Sequence, residues 1–143
     1  MSQATYDDVT LILRLYEIRR EEKLRAARAW FVANFKCKTM ADYTQLCPPG
    51  SDSNAMARMV TSYWDMVASF AAAGVLNEDL LFQSARELLI VYYRVLPILE
   101  EVRTTFKDPT YMKNLEHVSK SYIAWLDRAS PEIAPALKAR IGG

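Results

Sequence analysis

Apolar residues recur every three or four positions along most of the chain, which is the spacing that gathers them on one face of an α-helix. Between residues 54 and 73 this pattern predicts a clean amphipathic helix. Its predicted inner side carries Met56, Met59, Val60, Tyr63, Trp64, Val67, Phe70 and Ala71. The sequence shows no long alternation of period two, no internal repeat and no low-complexity segment. The pattern therefore predicts an all-α protein.

The first predicted helix runs from Tyr6 to Phe35. Thr5 is placed to act as its N-cap, and Asp7 and Asp8 suit the positive end of the helix dipole. Arg20 interrupts the apolar face of this helix. The predicted inner face consists of Val9, Ile12, Leu13, Tyr16, Leu24, Ala27, Trp30 and Phe31.

The stretch "AAAGVLNEDLLF" predicts a joint between two helices. Gly74 follows three alanines where a left-handed C-terminal cap is favoured, and Asn77 is a good N-cap for the next helix. A functional loop is the alternative interpretation. The next helix is predicted over residues 78–102, is apolar around most of its circumference, and is expected at the centre of the bundle. Pro97 predicts a kink near its end.

Capping residues and prolines delimit the remaining helices. Thr39 is placed to cap a short helix over residues 40–46, which "CPPG" ends. Asp108 as N-cap and Pro109 at the first helical position predict a fourth long helix reaching about Arg128. Ser130 begins a short last helix in "PEIAPALKAR". We therefore expect residues 1–143 to form one domain, an up-and-down bundle of four main helices with one or two short ones.

Charge and composition exclude several classes of protein. The chain has 143 residues with 18 basic and 17 acidic side chains, and this near balance argues against nucleic-acid binding. No apolar run reaches the roughly 18 residues needed to span a bilayer. The start of the sequence lacks the basic and apolar regions of a secretory signal. Two cysteines in a chain without a recognisable export signal favour free thiols and a cytoplasmic location.

Residues that could carry chemistry are few. One histidine, His117, cannot form a multi-histidine metal site, and it is expected on the surface. The sequence has neither a glycine-rich phosphate loop nor a nucleophile elbow. Cys37 and Cys47 are either incidental thiols or a redox or metal-binding pair. The sequence thus predicts no cofactor and argues against an enzyme.

Two sets of residues are candidates for a site. Glu87 and Arg94 share the polar stripe of the third helix, and Arg20 lies on the predicted inner face of the first. Our hypothesis is a buried arginine–carboxylate pair between these helices, with solvent exposure or a bound anion at Arg20 or Arg94 as alternatives. Tyr92 and Tyr93, close to Pro97, either line an apolar cavity or pack in the core.

One segment also carries a family resemblance. The stretch "YWDMVASFAAAGVLNEDLLF" followed by "YYRVLPILEEVR", within residues 63–103, resembles an uncharacterised bacterial family of helical domains known as a domain of unknown function. The matching positions are Gly74, Leu76, Asn77, Leu80, Tyr93, Pro97 and Arg103. Many relatives carry an N-terminal membrane helix, for which this sequence shows no apolar run. The resemblance implies an α-helical domain without an assigned activity or catalytic residues.

These observations favour an intracellular interaction module without catalysis, which forms a homo-oligomer and can bind a protein partner. A small bundle that binds an apolar ligand is the alternative, and its cavity is expected near Tyr92, Tyr93 and Pro97. An enzyme that uses arginine and glutamate alone is the third and least favoured hypothesis.

Overall fold

In the computed structural model, which describes residues 3–142, short turns join α-helices and the described residues include no strand. The helices are α1 (Tyr6–Arg19), α2 (Glu22–Asn34), α3 (Met40–Leu46), α4 (Asp52–Ala72), α5 (Glu78–Phe82), α6 (Arg86–Val95), α7 (Leu99–Phe106), α8 (Lys113–Ala129) and α9 (Ile133–Arg140), with a 3-10 turn (Leu96–Ile98) between α6 and α7. The predicted all-α bundle is confirmed, with four main helical segments (α1–α2, α4, α5–α7 and α8) and two short helices, α3 and α9.

The first predicted helix is broken at Arg20 and Glu21, so the prediction of one continuous helix over residues 6–35 was wrong. The Glu21 carboxylate accepts hydrogen bonds from the backbone N–H groups of Lys23 and Leu24, over 3.1 and 3.0 Å. Glu21 therefore caps the start of α2, and these bonds lower the pKa of its carboxyl group. The charged run around Glu21 suits the surface of one long helix. It also supplies a carboxylate that can cap the start of a new helix.

The third predicted helix is also interrupted, after Phe82 and again at Pro97. The Tyr122 hydroxyl of α8 donates a hydrogen bond to the Phe82 carbonyl over 2.6 Å, which satisfies a carbonyl at the end of α5. Pro97 lies in the 3-10 turn, since it offers no N–H for the helical pattern. The hydrogen bond from Tyr122, 40 residues away, thus helps to end α5 at a point where the local sequence favours a continuing helix.

The joint between α4 and α5 agrees with its prediction. Gly74 adopts a positive φ of 78°, and the Val75 N–H donates to the Phe70 carbonyl over 3.0 Å, as in a glycine-terminated helix. The Asn77 side chain accepts a hydrogen bond from the Leu80 N–H over 2.9 Å and caps α5. The sequence placed both caps correctly because each depends on local chemistry alone.

The predicted cap of the fourth helix was wrong. Asp108 accepts a hydrogen bond from the Thr110 N–H over 2.9 Å and stabilises a turn, while α8 begins at Lys113. The cap of α8 comes from α4, where the Asp65 carboxylate accepts a hydrogen bond from the Leu115 N–H over 2.9 Å. The start of α8 is thus set by tertiary packing.

The core is centred on α4, which packs most extensively against α8 and α2 and also contacts α6. The sequence predicts the centre at residues 78–102 instead; α6 is indeed almost entirely buried, but α4 occupies the middle. The largest fully buried side chains include Trp64, Tyr122, Phe31, Phe35, Leu76, Leu88, Leu89, Ile98, Leu99, Leu115 and Leu126. The elements packed around this core leave one side of α1 uncovered.

Candidate functional site

The uncovered side of α1 is apolar. Four of its large side chains point to solvent at intervals of three or four residues, and we call them the α1 stripe. They are Tyr6 (84% exposed), Val9 (42%), Leu13 (57%) and Tyr16 (46%). The prediction that Val9, Leu13 and Tyr16 face the core was wrong. This helix is apolar on two sides, and periodicity alone could not tell which side is buried.

The opposite side of α1 is held against the bundle by hydrogen bonds as well as by buried residues. The Tyr63 hydroxyl donates a hydrogen bond to the Leu15 carbonyl over 2.6 Å. The Asp8 carboxylate accepts one from the Asn77 N–H over 2.9 Å and another from the Thr5 N–H over 2.8 Å. These backbone hydrogen bonds lower the pKa of Asp8. The bonds from Tyr63 and Asn77 fix the rotation of α1 and so keep the α1 stripe turned outward.

A groove of about 340 Å³ runs beside the α1 stripe, between α1, α4 and the turn from α5 to α6. Its walls are mainly apolar and are built largely by Ile12, Leu15, Trp64, Val67, Leu81 and Ala85. Leu13 and Tyr16 belong both to the stripe and to the rim of the groove. The stripe and the groove therefore form one continuous apolar surface.

Arg19 supplies a positive charge to this groove. Its guanidinium carbon lies 4.9 Å from the ring centre of Tyr16 and 5.4 Å from that of Trp64, within cation–π distance of both. No ion pair joins Arg19 to an acidic side chain among residues 3–142. The indole Nε1 of Trp64 is also buried without an acceptor in the described part of the chain.

Glu87 forms an arginine–carboxylate pair, but its partner is Arg28 and not Arg20 or Arg94. Glu87 of α6 accepts a hydrogen bond from Nε of Arg28 on α2 over 2.8 Å, and both side chains are partly buried. Arg28 also donates to the Arg19 carbonyl over 3.0 Å. Arg20 is exposed, with its guanidinium carbon 5.6 Å from the Tyr16 ring centre, so its predicted position on an inner face was wrong. Arg20 lies on the same side of α1 as Val9, Leu13 and Tyr16, and it faces solvent with them.

Arg94 is buried and 5% exposed, but it has no carboxylate beside it among the described ion pairs. It donates hydrogen bonds to the carbonyls of Phe35 and Ile141, each over 2.8 Å. These two residues terminate α2 and α9, where helices leave carbonyls without partners and favour a cation. Burial lowers the pKa of Arg94. This arginine thus joins the C-terminal ends of two helices to α6.

Tyr92 and Tyr93 are buried, with ring centres 5.8 Å apart. Burial raises the pKa of both hydroxyl groups. The Lys138 ammonium lies 5.7 Å from the ring centre of Tyr93. Neither tyrosine lines the groove or the cavity of about 470 Å³ between α3, α4 and α7. The structure places this pair in the core of the bundle.

The remaining chemical groups are dispersed. Cys37 and Cys47 are free and buried, and burial raises the pKa of the Cys37 thiol to about 11. His117 is exposed. Within residues 3–142 no three histidine, cysteine, aspartate or glutamate side chains come together as a metal site would require. In that same range, none of the helices has the length and apolarity needed to cross a bilayer.

Comparison with protein families gives a match over most of the chain. Residues 4–122 match the family model described as a domain of unknown function, DUF4760. This range includes the segment of residues 63–103 that carries the sequence resemblance and extends from the start of α1 into α8. Comparisons with curated proteins and with solved structures gave no match.

Proposed function

The chain belongs to the DUF4760 family, whose function is unknown, and we propose that it is a non-catalytic helical interaction module that self-associates through the α1 stripe. The observation that carries this proposal is the alignment of four large apolar side chains on the solvent side of α1. Two buried free thiols agree with a reducing compartment, so we also propose that it acts in the cytoplasm.

The α1 stripe has the form of a helix-packing surface. From Tyr6 to Tyr16 it extends about 15 Å along the helix, at a rise of roughly 1.5 Å per residue. Side chains at this spacing form ridges that fit the grooves of another helix. Covering a large apolar side chain contributes about 1.5–3 kcal/mol when it becomes fully buried. Contact with a second helix would therefore stabilise this face considerably.

The geometry of α1 favours a second copy as the partner. Arg20, at the end of the helix, lies on the same side of α1 as Leu13 and Tyr16. When two copies of α1 pack antiparallel around Leu13, each Arg20 lies close to Tyr6 of the other copy. Such an arrangement has the two-fold symmetry that is commonest among protein dimers. It places a guanidinium beside an aromatic ring at both ends of the interface.

The size of the stripe determines how strong this association is. Stable interfaces bury about 1,200–2,000 Å² in total, and a single helix face offers less than that. We therefore expect a dimer that dissociates on dilution. Sedimentation velocity over a series of protein concentrations measures this directly.

Leu13→Glu tests the proposal, with Phe106→Glu as the matched control because Phe106 is 64% exposed and lies outside the stripe. Leu13→Glu is expected to keep the protein monomeric at concentrations where the wild type is dimeric, while Phe106→Glu dimerises normally. Circular dichroism of both variants checks that the helices are retained. A wild type that is monomeric at all concentrations, or equal effects of the two substitutions, would refute the proposal.

Charge reversal tests the antiparallel arrangement. Tyr6→Arg is expected to weaken the dimer because it places like charges together, and Arg20→Asp because it removes the cation that faces the Tyr6 ring. The double variant places opposite charges together and is expected to recover most of the association. A double variant that dimerises no better than either single variant would argue against antiparallel pairing of α1.

A further inference from the structure

We propose that the groove between α1, α4 and the α5–α6 turn binds a small amphipathic carboxylate, whose anion contacts Arg19 and whose hydrocarbon part lies along the apolar walls. This site adjoins the proposed dimer contact, which uses the outer side of α1. The two share the side chains of Leu13 and Tyr16 at the rim.

The walls of the groove suit a hydrocarbon. Trp64, Val67, Leu81 and Ala85 are all buried in the bundle yet form part of the groove surface, so they provide a rigid apolar lining. The volume of about 340 Å³ lies at the small end of the range of ligand sites. An alkyl chain of moderate length gains hydrophobic stabilisation there without requiring the core to open.

Arg19 selects the polar end of the ligand. Its guanidinium is half-buried against two aromatic rings and has no acidic partner among residues 3–142, whereas Arg28 and Arg103 have carboxylate partners. A guanidinium binds a carboxylate through two parallel hydrogen bonds. The packing against Tyr16 and Trp64 orders the side chain before the ligand arrives, which reduces the entropic cost of binding.

The charge of the groove favours a monoanion. Within residues 3–142, Arg19 is the one charged side chain that lines it, and the other polar contributions come from Ser84 and the hydroxyl groups of tyrosines. A phosphate dianion would retain an uncompensated charge next to the apolar walls, which is costly. A single carboxylate is neutralised by Arg19.

The probes for this site are decanoate and decan-1-ol, which share an alkyl chain and differ in charge. Calorimetric titration is carried out at a protein concentration where sedimentation shows the monomer, so that self-association does not affect it. We expect decanoate to bind one site per chain and to shift the NMR signal of the Trp64 indole N–H, assigned with Trp64→Phe. Decan-1-ol is expected to bind at least about tenfold more weakly, since it cannot form the charged contact.

Arg19→Gln, its matched control Arg20→Gln and the occluding variant Ser84→Trp localise the site. Ser84 is exposed at the groove, so its replacement by Trp fills space without entering the core. Decanoate affinity is expected to fall at least about tenfold in Arg19→Gln and to change less than about twofold in Arg20→Gln. Ser84→Trp is expected to abolish binding of both probes.

The outcomes of these experiments distinguish a failure of the proposed ligand site from a failure of the proposed dimer. Absence of decanoate binding at millimolar concentration, equal affinity for the two probes, or equal losses in Arg19→Gln and Arg20→Gln would each overturn the proposal. Failure of Leu13→Glu to alter the oligomeric state bears only on self-association, because the titrations use the monomer. Thermal unfolding of every variant shows whether it is folded.

Discussion

The Asp8 carboxylate accepts a hydrogen bond from the backbone N–H of Asn77 over 2.9 Å and thereby joins the start of α1 to the start of α5, 69 residues later. The same carboxylate accepts a hydrogen bond from the Thr5 N–H, which forms the capping box of α1. One side chain thus stabilises a helix terminus locally and positions the whole helix on the bundle.

Asp8→Asn is expected to lower the free energy of unfolding at pH 7. It is also expected to make that free energy less dependent on pH in the acid range. The folded state lowers the pKa of Asp8 from its ordinary value of 3.8, first through the Thr5 backbone bond and next through that of Asn77. The contribution of Asp8 is therefore present above pH 4 and lost as the pH falls through its folded pKa. Urea unfolding at pH 7, 4 and 3 measures this.

Asp7→Asn is the control for Asp8, since Asp7 is exposed and adjacent. The difference in free energy of unfolding between the wild type and Asp8→Asn should shrink towards pH 3. The free energy of unfolding of Asp7→Asn should stay close to that of the wild type at all three pH values. A gap of constant size over the three pH values would show that ionisation of Asp8 does not stabilise the fold.

Arg94→Met is expected to destabilise the protein by about 2–4 kcal/mol, because it leaves two helix-terminal carbonyls without their charged donor. Met keeps much of the buried hydrocarbon volume, so the loss reports on the hydrogen bonds. Chemical denaturation measures the change. Arg25→Met, at an exposed position outside the proposed dimer contact, is the control and should stay within about 0.5 kcal/mol of the wild type. A similarly small effect at Arg94 would contradict its assigned role.

The Arg28–Glu87 pair is expected to contribute a coupling energy of about 1 kcal/mol, because both side chains keep some exposure to solvent. A double-mutant cycle with Arg28→Met and Glu87→Gln measures it by urea unfolding. Raising the salt concentration should reduce the coupling. Strict additivity of the two single effects would show that the pair contributes nothing.

Cys37 and Cys47 are expected to react with a thiol reagent at pH 8 only as fast as the protein opens, because both are buried and burial raises the pKa of each thiol. Labelling should become rapid in concentrated urea. Ser62→Cys introduces a thiol at an exposed position and should react at once in the folded protein. Fast labelling of the wild type under native conditions would mean that these cysteines are accessible.

Features governed by local chemistry could be predicted from the sequence. Thr5, Thr39 and Asn77 all cap helices as their sequences indicate, and Gly74 adopts the left-handed conformation expected of a terminating glycine. Prediction from the sequence failed where a residue distant along the chain determines where a helix begins. Asp65 caps α8 in place of Asp108 because it is brought there by packing.

The candidate site was beyond sequence analysis for a related reason. Both sides of α1 carry apolar residues, so periodicity gave no reason to prefer the side with Leu15 over the side with Leu13. Arg20 was misplaced for the same reason, because it lies on the side of α1 that carries Leu13. The available signal for the break was Glu21, a carboxylate three residues before the Leu24 N–H group that it caps. This signal was masked because Glu21 lies in a run of charged residues.

The Asp65 cap has a consequence for how the protein folds. Residues 109–129 in isolation would form a helix that lacks a side-chain cap at its start, since Asp65 belongs to α4 and accepts its bond from Leu115. Nucleation of α8 and its docking onto α4 are therefore thermodynamically coupled, and each makes the other less costly. This coupling favours an all-or-none transition in which α8 becomes helical as it docks onto α4.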